Sequence, residues 1–109
     1  MTPKNYWIAS IPVGDGLMVL LSGELDMAGA EEVRRFVDSD LNKPYAEVRL
    51  DCRGVTFIDS IGVKALLHVA SRCAELGAES EFRLSARIER VLDAMGLGSL
   101  SDISAKLAG

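Results

Sequence analysis

The hydroxyl of Ser60 is the group in this chain best placed for regulated chemistry. It follows an apolar stretch, Phe57-Ile58, that ends in Asp59, and it directly precedes an amphipathic segment typical of a helix. A serine at a helix start can cap the helix, because its side-chain oxygen accepts a hydrogen bond from one of the first free backbone N–H groups. If phosphorylated, the same side chain carries about −1.5 to −2 charges at neutral pH. Ser60 is therefore a candidate phosphorylation site, and simple capping is the alternative.

Three further residues near helix starts are candidates for partner contact. Asp26 follows Gly23-Glu24-Leu25 and can cap the next helix, contact a partner, or do both. On a helical wheel Ile61 falls beside Lys64 and away from the apolar stripe, which predicts an exposed side chain that contacts a partner or is a single surface hydrophobe. Gly62 costs about 1 kcal/mol within a helix but lets another backbone come close, so it predicts the close approach of a partner at this point.

Enzymatic and metal chemistry have little support in the sequence. His68 is the only histidine, and Cys52 and Cys73 have neither CxxC spacing nor nearby histidines, so we expect two reduced, packed thiols and no metal site. The chain has no P-loop and no GxGxxG, and a single histidine gives no resolvable Ser/His/Asp set. We expect no cofactor and no catalytic residue.

Composition and charge narrow the class of partner. The 109 residues are 49% hydrophobic and 26% charged, values typical of a globular domain. The formal charge of −4 argues against nucleic acid or anionic membranes, since both need a basic footprint. No apolar run reaches the roughly 18 residues of a membrane span. We therefore expect protein partners and a cytoplasmic location.

The first part of the chain predicts a β-hairpin followed by a helix. Residues 6–13 and 17–22 read as strands around Gly14-Asp15-Gly16, a turn that suits positive φ angles. The second strand is continuously apolar, which predicts a central position with both faces covered. A helix is predicted over residues 28–40, with Glu31 and Arg35 spaced as an ion pair. Its predicted core residues are Ala30, Val33, Phe36 and Val37.

The second part predicts a strand, a long helix, a strand and a short helix. Residues 46–52 alternate apolar and polar side chains as a half-covered strand does, and Gly54 interrupts that pattern. A helix is predicted over 60–76 and a strand over 80–84, and Ser85 is positioned to cap a last helix that ends at Gly96. The core stripes of these two helices are predicted as Val63, Leu66, Val69, Ala70, Cys73 and Leu76, and as Ile88, Val91, Leu92 and Met95.

This order of elements predicts an α/β fold: a mixed β-sheet with an N-terminal hairpin, then β/α alternation, with helices packed on the sheet. We find no linker and no internal repeat, so residues 1–109 are expected to form one domain. The tail after Leu97 is expected to add at most a brief edge strand or helix.

Three segments carry a family resemblance that covers nearly the whole chain. Ser22-Gly23-Glu24-Leu25-Asp26, Phe57-Ile58-Asp59-Ser60-Ile61-Gly62 and Val91-Leu92-Asp93-Ala94-Met95-Gly96-Leu97 resemble, in order and spacing, successive signatures of the STAS family, specifically the bacterial anti-sigma-factor antagonists. The resemblance implies a STAS fold and a non-enzymatic partner-switching module.

In that family the unphosphorylated antagonist binds an anti-sigma factor that is also a serine kinase, which frees a sigma factor. The resemblance implies that Ser60 is the phosphoacceptor, that Asp59 and Asp26 lie beside it, and that a serine phosphatase resets it. Many relatives have a second Ser or Thr where this chain has Ile61, and a small or apolar residue where it has Lys64. Ser60 would then act alone, and Lys64 would attract phosphate or select an acidic partner.

Two other interpretations remain open at this point. A STAS domain can be a non-switching regulatory subunit of a transport or stress-sensing complex, in which Ser60 would only cap its helix. Alternatively, Asp59 and Asp26 could mimic the acidic pocket of a phospho-aspartate receiver, although the lysine expected beyond a late strand would have to be Lys106, in the tail.

Overall fold

In a computed structural model, the chain forms a mixed four-stranded sheet with three helices, and the predicted α/β fold is confirmed. The structure describes residues 5–97. The strands are β1 (Tyr6–Val13), β2 (Gly16–Leu25), β3 (Glu47–Ile58) and β4 (Glu79–Leu84), in the spatial order β1-β2-β3-β4. β1 and β2 are antiparallel, whereas β2, β3 and β4 are parallel. The predicted hairpin closes around Gly14, whose φ is +61°.

The helices are α1 (Met27–Asp40), α2 (Ser60–Glu75) and α3 (Ala86–Ala94). α1 and α2 pack against each other, and all three helices contribute side chains to one hydrophobic core together with the sheet. Gly77 and Gly96 follow α2 and α3 with positive φ, as predicted for residues that end helices. No helix within residues 5–97 has the length and apolar character needed to cross a membrane.

β2 is central, as predicted, but only one of its faces is covered by the described residues. Leu17, Val19 and Leu21 are buried in the core, whereas Met18 and Leu20 are only partly buried. The prediction of a strand covered on both faces is therefore wrong. The continuous apolar run reflects a sheet whose second face, here called the open face, carries Met18 and Leu20 beside Trp7 and Ile11 of β1.

β3 continues through Gly54, which was expected to interrupt it. Gly54 pairs with Ser22 where the register between β2 and β3 shifts. A Cβ on Gly54 would lie 2.8 Å from Cβ of Ser22, so glycine here lets two strands crowd together. This continuation extends β3 to Ile58, next to the end of β2, and it brings the two candidate acidic residues to the same edge of the sheet.

Most predicted core positions are buried, and two details of the helices differ. Every predicted core residue of α1 is buried, and in α3 Ile88 and Leu92 are fully enclosed. Met95 is instead 42% exposed, because α3 ends at Ala94 before the stripe completes another turn. On α1, Arg35 pairs with Glu32 at 3.5 Å, one turn away, and not with Glu31. The expected tail element lies outside the described residues.

Candidate functional site

The ends of two neighbouring parallel strands bring Asp26 and Asp59 together. Leu25 at the end of β2 is the register partner of Ile58 at the end of β3. The next residue of each strand is an aspartate, and each aspartate precedes a helix. Adjacent strands lie about 4.8 Å apart, so the two acidic residues are neighbours at the carboxyl edge of the sheet. This edge is the usual place for sites in open α/β sheets.

Asp59, and not Ser60, caps α2. Its Oδ1 accepts hydrogen bonds from the backbone N–H groups of Ile61 at 3.0 Å and Gly62 at 2.9 Å. Ser60 is the first residue of the helix, and its side chain is exposed. Within residues 5–97 its hydroxyl has no hydrogen-bond partner. The capping alternative for Ser60 is therefore wrong, because the preceding carboxylate already occupies the free N–H groups.

Asp26 caps α1 in the same manner. Its Oδ1 accepts a hydrogen bond from the N–H of Gly29 at 3.1 Å, which confirms the predicted capping role. The carboxylate is only partly buried, so one side of it still faces solvent. A capping carboxylate is also favoured by the positive end of the helix dipole. The two helix starts thus each present an ordered, half-exposed negative charge.

Gly62 allows the start of α2 to lie directly on the end of β2. A Cβ at Gly62 would collide with the carbonyl oxygen of Leu25 and would lie 2.8 Å from Cγ1 of Ile58. Gly29 has the same relation to the carbonyl of Glu24 at the start of α1. The close backbone approach predicted at Gly62 is therefore made within the chain, and Gly62 itself is buried.

Ile61 and Lys64 occupy different environments. Ile61 is partly buried and packs against the hydrophobic core, so the prediction of an exposed side chain is wrong. The first turn of α2 lies against the ends of the strands, so a residue on the polar side of the helical wheel can still pack against other parts of the protein there. Lys64 is exposed one turn beyond Ser60, and within the described residues it forms no ion pair.

A shallow surface depression of about 740 Å³ adjoins Asp26, Asp59 and Ile61, whereas Ser60, Gly62 and Lys64 are not among the described residues that line it. Asp26, Asp59 and Ile61 line it together with several residues that sequence reasoning missed as site residues, namely Tyr6, Met27, Ala28, Glu31, Glu32 and Arg35. Met27 is 68% exposed, an unusual position for a large apolar side chain. No local sequence signal marks these residues, because it is the pairing of Leu25 with Ile58 that places the first turn of α1 beside that of α2.

The depression is lined by more acidic than basic side chains, together with the apolar Met27 and Ile61. Four carboxylates line it, and its one arginine, Arg35, pairs with Glu32. Within residues 5–97 no three His, Cys, Asp or Glu side chains are grouped closely enough to hold a metal ion. His68 is exposed on α2. Charged side chains beside exposed apolar ones at one surface suit contact with another protein.

The two cysteines belong to the core and not to the site. Both are free thiols and both are buried. Burial raises the pKa of Cys52 to about 12 and the pKa of Cys73 to about 11, because the charged thiolate is poorly solvated in the interior. The prediction of two reduced, packed thiols is confirmed.

Comparisons with known proteins agree with this fold. SpoIIAA, described as an anti-sigma factor antagonist in its unphosphorylated form, aligns with a TM-score of 0.69 and 20% identity over 84% of this chain and 83% of its own. An anti-sigma factor antagonist from Mycobacterium paratuberculosis aligns with a TM-score of 0.69 and 20% identity over 99% and 98% of the two chains. SLC26A9 aligns with a TM-score of 0.71 and 16% identity over 96% of this chain but 22% of its own.

At these identities the structural likeness establishes the fold alone. No curated protein matches the chain in sequence. The family model described as the STAS domain matches residues 7–108, which is nearly the whole chain and includes all three segments that carry the resemblance. The chain belongs to the STAS domain family.

Proposed function

We propose that this chain is an anti-sigma factor antagonist that acts by phosphorylation-controlled partner switching. In its unphosphorylated form it binds an anti-sigma factor that is also a serine kinase, and a sigma factor is released. Phosphorylation of Ser60 breaks that complex, and a serine phosphatase restores it. The whole chain acts as one cytoplasmic STAS unit without catalytic activity of its own. The structural likeness to two anti-sigma factor antagonists supports this class of function.

The exposed, unbonded hydroxyl of Ser60 is the observation that carries the proposal. A hydroxyl engaged as a helix cap would have to break its hydrogen bond before a kinase could use it. Here Asp59 caps α2, so phosphorylating Ser60 costs the fold no capping bond. Ser60 is also exposed at the first position of the helix, where a kinase active site can reach it.

The same capping arrangement makes a phosphate on Ser60 act on the partner. The N–H groups of Ile61 and Gly62 already donate hydrogen bonds to Asp59, so they are not free to donate to the phosphate oxygens. The added charge therefore lies directly after Asp59, and the strand pairing of Leu25 with Ile58 places Asp26 beside Asp59. Any acidic group that the partner places there is repelled, and the dianion is costly to desolvate at an interface.

Lys64 and Ile61 adapt the switch in this chain. Lys64 lies four residues after Ser60 on an exposed helical face, a spacing at which opposite charges attract. Lys64 partly offsets the negative charge of the phosphate. In the unmodified protein it instead selects a partner with an acidic residue at that place. Ile61 leaves Ser60 as the only hydroxyl in the first turn of α2 and presents its uncovered part to the depression. Gly62 serves the site by keeping α2 close to β2.

The direct test compares Ser60→Asp with Ser60→Ala in binding to the kinase-type anti-sigma factor of the same organism. We expect Ser60→Ala to bind as the unmodified protein does, and Ser60→Asp to bind at least about tenfold more weakly, which corresponds to about 1.4 kcal/mol. Isothermal titration calorimetry measures both. Equal affinities for the two variants would refute the switch.

A matched control places the same new charge elsewhere. Asn42 is exposed beyond the end of α1 and its side chain forms no hydrogen bond within the described residues, so Asn42→Asp adds an equal charge away from the depression with little change of shape. It should bind the partner as the unmodified protein does. Mass spectrometry of the protein from its own cells, with and without a growth-limiting stress, tests for phosphate on Ser60 itself.

A second candidate function is a STAS unit that belongs permanently to a larger transport or stress-sensing assembly. The likeness to SLC26A9, of which this chain matches 22%, supports this candidate no more than the likeness to the antagonists supports the first. In that case Ser60 is never modified, and the protein co-purifies with the same assembly under all growth conditions.

A further inference from the structure

β1 is an edge strand, and the outward backbone groups of Ile8 and Ser10 have no partner in the described part of the chain. The phase of its hydrogen bonds follows from Asn5, whose carbonyl accepts the N–H of Glu24 at 2.7 Å. Residues of an antiparallel pair alternate between those that exchange hydrogen bonds and those that do not. The odd-numbered residues of β1 therefore bond to β2, whereas the even-numbered residues point their backbone groups outward.

The outward groups form a short, usable edge. Ile8 and Ser10 each direct a backbone N–H and C=O away from β2. Within residues 5–97 these four groups form no hydrogen bond. Pro12 has the same phase, so its missing N–H costs the pairing with β2 nothing. The proline also limits how far a further strand can pair beyond Ser10.

The two edges of the sheet differ in charge. β4 carries Glu79, Glu81 and Arg83, and charged side chains of this kind protect an edge from pairing with another chain. β1, Tyr-Trp-Ile-Ala-Ser-Ile-Pro-Val, carries no charge in a chain whose net charge is −4. It also presents Trp7 and Ile11, 56% and 52% exposed, on the open face. β1 itself therefore brings no charged side chain to an edge that meets a second copy, and the charged groups beside it are Glu32, Arg35 and Asp40 of α1.

We propose that two copies of this chain associate through antiparallel pairing of β1 with β1, which joins their sheets into one. The two-fold axis passes between the two Ala9 residues. Ile8 then lies opposite Ser10 of the second copy, and each such pair exchanges both N–H···O bonds. On the open face Trp7 lies opposite Ile11 of the second copy, an aromatic and β-branched pairing that stabilises adjacent strands.

The side of β1 that faces the helices leaves room for this pairing. A cleft of about 190 Å³ lies between β1 and α1, lined in part by Ile8, Ser10 and Phe36. Ser10 is already oriented there by its hydrogen bond to Asp40 at 3.0 Å. The joined strip is short, with two Ile8–Ser10 pairs related by the two-fold axis, so the association is weak and depends on concentration.

Charge pairs at Ala9 test both the association and its register. Ala9→Lys alone and Ala9→Glu alone place like charges opposite each other at the two-fold axis, and each should weaken self-association about fivefold or more. An equimolar mixture of the two variants should associate again, because the charges at the axis are then opposite. Sedimentation velocity from about 10 µM to about 1 mM covers the range of weak affinities.

The control adds the same charge elsewhere on the molecule. Met95→Lys replaces an exposed apolar residue at the end of α3 and should leave self-association unchanged. The proposal is overturned if the unmodified protein stays a single copy at the highest concentration. It is also overturned if both charge variants associate as the unmodified protein does.

Hydrogen exchange of the unmodified protein tests the same edge without any substitution. Exchange of the Ile8 and Ser10 amides should slow as concentration rises, whereas the Ala9 and Ile11 amides, bonded to β2, should be protected throughout. Protection of Ile8 and Ser10 that is already complete in dilute solution would mean that another segment of the same chain covers the edge, and it would overturn the proposal.

Discussion

Because Asp59 caps α2 and Ser60 does not, substitutions at the two residues should differ in their effect on stability. Asp59 accepts hydrogen bonds from two N–H groups at the start of α2, whereas the hydroxyl of Ser60 accepts none within the described residues. Loss of an N-cap side chain costs about 0.5–2 kcal/mol, and an exposed residue away from such features changes stability by about 0.5 kcal/mol or less. We therefore expect Asp59→Ala to lower the free energy of unfolding by about 1–2 kcal/mol and Ser60→Ala to leave it nearly unchanged.

A third variant separates the hydrogen bond from the charge. Asp59→Asn keeps a side-chain oxygen that can cap the helix, but it removes the favourable interaction of a carboxylate with the helix dipole, about 0.3–1 kcal/mol. The free energy of unfolding of Asp59→Asn should lie between those of Asp59→Ala and Ser60→Ala. Because ~1 kcal/mol shifts the melting temperature of a domain of this size by about 4–8 °C, the three variants are distinguishable by thermal unfolding.

Urea denaturation followed by far-UV circular dichroism gives the free energies directly. The slope of the transition should be the same in all variants, since none changes the surface exposed on unfolding. The reasoning is refuted if Ser60→Ala destabilises as much as Asp59→Ala, because Ser60 would then be a cap whose hydroxyl is not free for modification.

Three further results are expected. Gly62→Ala should destabilise the fold by about 1–3 kcal/mol, because the added Cβ collides with the Leu25 carbonyl and this overpacking exceeds the gain in helix propensity. A variant as stable as the unmodified protein in urea denaturation would contradict this. Burial raises the pKa of Cys52 to about 12 from an ordinary 9.0, so the thiol keeps its proton to higher pH in the folded state than in the unfolded state. The free energy of unfolding should therefore fall as the pH rises above about 9. The urea midpoints measured at about pH 8 and about pH 10.5 should differ less for Cys52→Ala than for the unmodified protein. The side-chain hydrogen bond from Arg53 lowers the pKa of Asp51, so Arg53→Gln should raise it in an NMR titration, and an unchanged pKa would show that the ion pair is absent in solution.

Much of the fold follows from local patterns in the sequence. The hairpin around Gly14, the apolar stripe of α1 and the ends of α2 and α3 at glycines are read from neighbours along the chain, because turn chemistry and helical periodicity are short-range properties. The candidate phosphoacceptor was also found locally, since a Ser after Asp before an apolar helix is visible in the sequence itself.

Only the tertiary structure decided which residues share the site. The pairing of Leu25 with Ile58 depends on how far β3 continues past Gly54, and that in turn depends on crowding against Ser22 of another strand. The same long-range packing half-buries Ile61 and explains Gly62 by contact with the end of β2. The sequence by itself therefore determined most of the elements and the candidate hydroxyl of Ser60, whereas strand register, a property of residues distant in the chain, decided that Asp26 and Asp59 lie together.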